Sequence, residues 1–356
     1  MRGGMKNRMM TGQSAPWRGG VARRGVLAGL GMAAALVGTP GWAAITPRQR
    51  IIIDNDYGGD PDGLFQLAHH LASPSVEIAL IVGSHLHDKD PFDPAPGQAD
   101  RAAERARQIA TLAGVARVPA IIAGGNVALD AAMRPTPASA RIVAEAMRED
   151  TKQPLFYVAG ASLTELAAAH RLEPRIGKRL KLVWIGGMEH DDLWPGRPTR
   201  HDPEYNLTID AAAARYIFNE SDIEIWQVPR DAYRQMLISH AELEQGLAPA
   251  GRLGAYLLEQ VDRVGTMAGK AGLNIGETYI LGDSPLVTLT ALQSSFEADS
   301  SSSDYVIKPT PLMDEKGFYT PRPQARPMRV YKTIDTRLTF ADMFAKLAHL
   351  AAGAPR

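Results

Sequence analysis

Short β-rich runs alternating with helical segments over most of the chain predict an α/β fold, a largely parallel central sheet with helices on both faces. Three observations carry that expectation. The β-rich runs are nearly continuous in apolar residues, as strands buried on both faces must be. Each run is followed by a segment with apolar residues at helical spacing. The composition is that of an ordinary globular protein, 356 residues with 45% hydrophobic and 22% charged.

The elements follow in order. Arg50-Ile51-Ile52-Ile53-Asp54 is a buried strand ending in a carboxylate, and Gly63 to Ala72 has helical spacing. Val76 to Gly83 is the second strand and Ala99 to Ala113 a helix rich in Ala and Arg. Pro119 to Gly125 reads as the third strand, with a helix over Ser139 to Arg148. Pro154 to Gly160 is the fourth, followed by a helix through Leu163 to Ala167. Leu180 to Ile185, closed by Gly186-Gly187, is the fifth. A helix over Ile209 to Phe218 leads to the sixth, Ile223 to Val228, and Leu253 to Val264 is helical. The Ser-rich stretch Ser294 to Ser303 and the Pro-rich stretch Pro309 to Pro327 read as surface loops, and Phe296 to Arg329 receives no role, although Tyr319 and Arg322 could close over a pocket. In such sheets ligands sit beyond the carboxyl ends of the strands, so the residues just after each apolar run are the informative ones.

Lys+Arg and Asp+Glu balance at 39 each, which argues against a nucleic-acid-binding surface. There is no cysteine, so thiolate zinc and thiol redox chemistry are excluded and any metal must be held by oxygen or imidazole. Residues 1–43 read as a separate signal: Arg23-Arg24 precede the apolar run Gly25 to Val37, and small residues lead to a cleavage point after Ala43. The paired arginines match a twin-arginine export signal, so the expected location is periplasmic or secreted, with no stable membrane anchor after cleavage. Residues 44–356 then form a single domain.

After the first strand, Asp54-Asn55-Asp56-Tyr57-Gly58-Gly59-Asp60-Pro61-Asp62-Gly63 packs four aspartates into nine residues. So many like charges repel unless a cation or a helix N-terminus compensates. An all-oxygen site suits calcium, less often magnesium. The plain alternative is a solvated turn with an aspartate capping the next helix.

This loop resembles the calcium-binding signature of the inosine–uridine-preferring nucleoside hydrolases. The resemblance continues in order through Val118 to Gly125, Gly160-Ala161-Ser162-Leu163-Thr164, Ile185-Gly186-Gly187-Met188, Pro203-Glu204-Tyr205-Asn206-Leu207 with Asp210, and Gly282-Asp283-Ser284-Pro285-Leu286. It implies a nucleoside hydrolase-like domain with a Rossmann-like core, a ribonucleoside substrate, bound Ca2+ and a homo-oligomer. It implies Asp56 as a metal ligand and as the base that takes a proton from the attacking water. Asp62 is the further ligand and Asp60 the ribose contact, or the reverse, because Asp60-Pro61-Asp62 breaks the family's adjacent pair. Asp283 is a metal and ribose ligand, and the Gly160 carbonyl a neutral ligand. Glu204 and Asn206, on a segment expected to be extended, would hold the sugar hydroxyls. Asp54 braces the loop.

Two departures stand out. Gly282 occupies the place of the family's leaving-group histidine, and Gly83 is followed by Ser84-His85-Leu86-His87 in place of an asparagine. His85 or His87 is therefore the candidate acid or ribose contact, with His190 and His201 of lower rank. His69 and His70 read as packing or surface residues. Trp194, Tyr205 and Tyr233 are candidates for stacking on a base. The expected activity is hydrolysis of a nucleoside N-glycosidic bond. The alternatives are a hydrolase of another ribosyl compound and a non-catalytic periplasmic nucleoside- or sugar-binding protein on the same scaffold.

Overall fold

Six of the apolar runs become strands of one eight-stranded sheet. In this computed structural model, which describes residues 45–129, 134–198, 200–294 and 302–353, they are β1 (Gln49–Asn55), β2 (Val76–Gly83), β3 (Ile121–Ala123), β4 (Leu155–Ala159), β5 (Leu180–Ile185) and β6 (Glu224–Val228). A two-stranded pair, β7 (Leu237–Ser239) with β8 (Thr278–Ile280), and the later strands β9 (Tyr305–Pro309), β10 (Leu312–Met313), β11 (Tyr319–Thr320) and β12 (Pro327–Tyr331) complete the set. The sheet runs β3-β2-β1-β4-β5-β6-β12-β9, with every pairing parallel except β12 with β9.

The helices are α1 (Asp62–Leu71), α2 (Gln98–Leu112), α3 (Ser139–Ala146), α4 (Thr164–Leu172), α5 (Tyr205–Ile209), α6 (Ala211–Glu220), α7 (Arg230–Tyr233), α8 (His240–Leu247), α9 (Gly251–Lys270), α10 (Pro285–Ala291) and α11 (Thr336–Ala351). Two apolar cores lie on the two faces of the sheet. Alternating residues of each strand divide between them: Ile51, Ile53, Phe156 and Val158 enter the core with α1, α2 and α8 to α11, while Ile52, Leu155 and Tyr157 enter the core with α3, α4 and α6. A doubly covered parallel sheet follows directly from that division.

The strand order changes direction between β1 and β4. Loops leaving adjacent strand ends on either side of such a switch diverge, and the crevice between them is where open α/β sheets bind ligands. The aspartate loop leaves β1, and Gly160 leaves β4.

Several expectations need correction. The helix expected over Ile209 to Phe218 is two helices, α5 and α6, with Asp210 capping the second through Ala213 N at 3.0 Å. The third strand keeps only Ile121–Ala123 of Pro119 to Gly125. The Pro-rich stretch is not plain surface loop. It holds β10 paired with β11 and leads into β12, and Arg322 and Arg326 donate to the carbonyls of Ile217, Phe218 and Asn219 at the end of α6. Such carbonyls have no partner within their own helix, so the arginines dock the segment by satisfying them.

The described residues all belong to one compact unit, 41–356. The signal expected at 1–43 lies outside the described residues, as does most of the Ser-rich stretch. Among the described residues no helix is long and apolar enough to cross a membrane.

Candidate active site

The aspartate loop closes as a turn, Gly59 N donating to the Asp56 carbonyl at 2.7 Å, and α1 begins at Asp62. On β1 the side chains alternate. Asp54 turns to one face and accepts from the hydroxyls of Ser84 and Tyr157; burial pushes its carboxyl up to about 7. These two bonds tie the end of β1 to the neighbouring strands β2 and β4. Asn55 turns to the other face, toward α1.

Beyond them lies a cavity of about 430 Å3. Its lining includes Asp56, Asp60, Asp62, Gly160, Glu204, Asn206 and Asp283, with Phe92, Ile185, Tyr205, Arg230, Tyr233 and Arg234. Residues more than 200 positions apart thus share one hollow at the switch point. Asp62 and Asp283 touch directly, Asp283 N donating to Asp62 Oδ2 at 3.2 Å. Burial, then the charges of Asp283, Asp60, Asp90 and Asp54, push the Asp56 carboxyl well up. Asp62 is raised by burial and by Asp283, Asp60 and Asp56, and Asp283 by burial first.

The four aspartates differ in their partners. Asp60 accepts from the Tyr279 hydroxyl at 2.9 and 3.0 Å and from Asp62 N at 3.1 Å. Asp62 accepts from Gly63 N at 2.8 Å, and Asp283 from Asn55 Nδ2 at 2.8 Å. The Asp56 carboxylate, only 7% exposed, has no hydrogen-bond donor and no ion-pair partner among the described residues. None of the four forms a salt bridge with a described Lys or Arg. Among the described residues no group of three or more His, Cys, Asp or Glu side chains is arranged to hold a metal ion outright. Asp60, Asp62 and Asp283 instead turn toward nearby N–H and O–H donors. The donor chemistry fits a hard divalent cation all the same, because an unpartnered buried carboxylate among three others calls for positive charge.

Gly160 has a reason to be glycine. A Cβ there would stand 2.5 Å from Asn55 Nδ2 and 2.6 Å from Asp283 Oδ2, so only a bare backbone lets β4 approach this pair.

Other expected site residues fall differently. Tyr205-Asn206-Leu207 is helical, and Glu204 is the N-cap of α5, not part of an extended run. Its carboxylate already accepts from Gly187 N, Asn206 N, Leu207 N and the Tyr233 hydroxyl, at 2.8 to 3.1 Å. Four donors nearly saturate a carboxylate, so Glu204 braces this corner. Asn206 lines the cavity and donates to the Ile185 carbonyl at 2.9 Å.

His85 is buried away from the cavity lining, its Nδ1 bonded to the Leu86 carbonyl and its Nε2 near Thr164 Oγ1. His87 bonds Thr208 Oγ1 and packs edge-on against the Tyr205 ring, 4.9 Å between centroids. Neither lines the cavity. His190, His201 and Trp194 line separate neighbouring hollows, as do Tyr319 and Arg322, while Tyr205 and Tyr233 line the aspartate cavity. A Cβ at Gly282 would be 3.2 Å from both Asp62 Oδ2 and Tyr233 Cδ2, so the Tyr233 ring occupies the space into which a side chain there would project.

Arg230 was not anticipated. Its guanidinium, 8% exposed, is held by both oxygens of Glu189 at 2.6 and 2.8 Å and by Asp202 Oδ2 at 2.8 Å. Its only sequence signal was its place just past the sixth apolar run.

Fold and site together define a Rossmann-like α/β protein whose small-molecule cavity is floored by carboxylates at the strand-order switch. The profile of the inosine-uridine preferring nucleoside hydrolases matches residues 51–308, and the chain belongs to that family. It is 28% identical to the inosine-uridine preferring nucleoside hydrolase of Crithidia fasciculata over 207 residues, 51% of this chain and 58% of that protein. The match therefore spans less than two thirds of that relative. A Leishmania major protein of the same name is 27% identical over 243 residues, 60% of this chain and 70% of its own. Among solved structures, the purine-preferring ribonucleoside hydrolase from Gardnerella vaginalis superimposes with a TM-score of 0.66 at 18% identity, covering 86% of this chain and all of that one. A plant nucleoside hydrolase gives 0.63 at 18%, over 85% and 99%. At such identities these structures establish the fold.

Proposed function

We propose that this protein hydrolyses the N-glycosidic bond of a ribonucleoside, releasing free base and ribose, with a calcium ion on the carboxylate floor. One observation carries the reading: Asp56 is nearly buried, has no partner among the described residues, and faces a cavity shared with Asp60, Asp62 and Asp283. Family membership supports the reaction class.

Asp56, Asp283 and one or both of Asp60 and Asp62 would hold the ion, with the Gly160 carbonyl as a neutral ligand. When bound there, calcium supplies Lewis-acid activation of water. Asp56 would accept the proton of the attacking water. Asp60, Asp283 and Asn206 grip ribose hydroxyls and hold the anomeric carbon toward the floor. Carboxylates around the sugar favour the positive charge that grows on the ribosyl ring as the bond to the base breaks. Among the described residues no histidine lines the cavity, and Arg234, Tyr233 and Tyr205 are polar lining groups that could meet the departing base, Arg230 being held by Glu189 and Asp202.

The test is ribose release from inosine, uridine, adenosine and cytidine by purified protein with calcium. Asp56→Asn should lower the rate by about 10²–10⁴-fold without loss of folding. Tight nucleoside binding with no release would favour the non-catalytic binding protein, and release from a different ribosyl compound alone would change the leaving group assigned.

We also propose export through the twin-arginine signal at the N-terminus. Replacing Arg23 and Arg24 by Lys should leave the protein in the cytoplasm on fractionation.

A further inference from the structure

The buried side of Asp283 is tied to an uninterrupted line of polar side chains. Asn55 Nδ2 donates to Asp283 Oδ2 at 2.8 Å and to Gln66 Oε1 at 3.2 Å. Gln66 Nε2 bonds His70 Nδ1, and His70 Nε2 bonds Thr290 Oγ1 at 2.9 Å. The Thr290 hydroxyl in turn donates to the Leu286 carbonyl at 2.6 Å. All five side chains are buried: Asn55, Gln66 and Thr290 at 0%, His70 at 1% and Asp283 at 2% exposure. The line crosses from the last residue of β1, through the α1 helix, to α10, the helix that begins just after Asp283.

Its direction is determined at both ends. Asn55 presents its amide NH2 to Asp283 Oδ2, and a carboxylate ionised beside a bound cation can only accept that bond. Its second amide hydrogen then meets the Gln66 carbonyl, and Gln66 is left to donate its own NH2 to His70. His70 Nδ1 must therefore be the unprotonated nitrogen, and Nε2–H donates to Thr290, whose own hydrogen is already given to Leu286. Burial holds the His70 imidazole well below its ordinary pKa, so it stays neutral and keeps one acceptor nitrogen. Every amide and ring orientation is consistent with one polarity and inconsistent with its reverse.

We propose that Gln66 and His70 are positioning residues that orient the Asn55 amide and, through it, the Asp283 carboxylate that faces the cavity. If His70 loses its acceptor, Gln66 is free to turn its amide over. Gln66 then offers NH2 to NH2, Asn55 is displaced, and Asp283 loses the hydrogen bond that fixes its Oδ2. Glycine at 160 and at 63 fits the same scheme. A Cβ at Gly63 would stand 2.7 Å from Asn55 Oδ1, so both positions leave room for that one amide.

The inference rests on the calcium reading above, and titration calorimetry of calcium into the purified protein tests it. Outer-layer partners of metal-ligating groups typically change affinity by about 10–100-fold when removed. His70→Leu and Gln66→Met should therefore raise the calcium dissociation constant by about 10-fold or more. His70→Asn, which keeps an acceptor in the place of Nδ1, should stay near wild type. Thermal unfolding of each variant separates a loss of packing from a loss of orientation, since destabilisation alone leaves the affinity of the folded protein unchanged. If His70→Leu does not fold, Gln66→Met, close to Gln in length, carries the comparison. Unchanged affinity in folded variants, or an Asn variant as weak as the Leu one, overturns the inference alone. Wild-type protein that binds no calcium overturns both the inference and the reading beneath it.

Discussion

At the scale of single residues, the site is a question of which carboxylates are already satisfied. Asp54 and Glu204 spend their oxygens on neighbours, while Asp56 keeps its own for something that is not protein. That difference was only half legible in the sequence. Four aspartates in one loop announce a cation site, but nothing in the order of residues shows that Glu204 receives four donors. Gly160 offers a sharp test. Gly160→Ala should displace Asn55 or Asp283, destabilise the protein by about 1–3 kcal/mol, and lower ribose release at the same time; calorimetric melting and the ribose assay read both. His190 makes a separate prediction. It is buried against Gln227 and Tyr319, and desolvation pushes its pKa from 6.5 to about 4. An unfolded chain therefore takes up this proton at a higher pH than the native one does. The stability associated with the neutral ring is complete above about pH 6.5 and is lost as pH falls toward about 4. His190→Gln should flatten part of that fall in urea unfolding measured across the interval, and an unchanged slope would show that His190 titrates normally.

At the scale of elements, what the sequence showed well were the strands whose side chains enter both cores. Ile51-Ile52-Ile53 and Leu180 to Ile185 have no polar face to confuse the pattern, and they appear where expected. Elements shaped by distant partners were harder to see. The break between α5 and α6 comes from Asp210, which caps the second helix while its other oxygen accepts from Leu129 N and Thr164 Oγ1, residues far off in the chain. The Pro-rich segment looked like loop because proline suppresses strand pattern, yet Arg322 and Arg326 fasten it to α6. His85 and His87 sit near the expected strand end, but their rings bond Thr164 and Thr208 and are not part of the cavity lining. The junction of β2 with α2 is governed by Gly83, where a Cβ would lie 2.3 Å from Ala103 N. Backbone cannot yield as a side-chain tip can. Gly83→Ala should cost about 3 kcal/mol or more and show as a lower melting temperature.

At the scale of the whole molecule, the sheet gathers buried negative charge at one end, and folding must bear its cost. Desolvation, and after it mutual repulsion, raise the carboxyl groups of Asp56, Asp62 and Asp283 together. A cation that binds the folded state and not the unfolded one removes that penalty and stabilises the fold by mass action, about 2.7 kcal/mol at 100 times its dissociation constant. Calcium should therefore raise the melting temperature by several degrees and a chelator should reverse the rise; magnesium, which prefers a stricter octahedral shell, should do less. The most direct measurement is a crystal structure with calcium and a nucleoside analogue. The account predicts one strong anomalous peak in contact with carboxylate oxygens of both Asp56 and Asp283, with ribose hydroxyls beside it. A calcium ion bound elsewhere, or an analogue lodged in the hollow near His190 with the aspartate floor untouched, would contradict it.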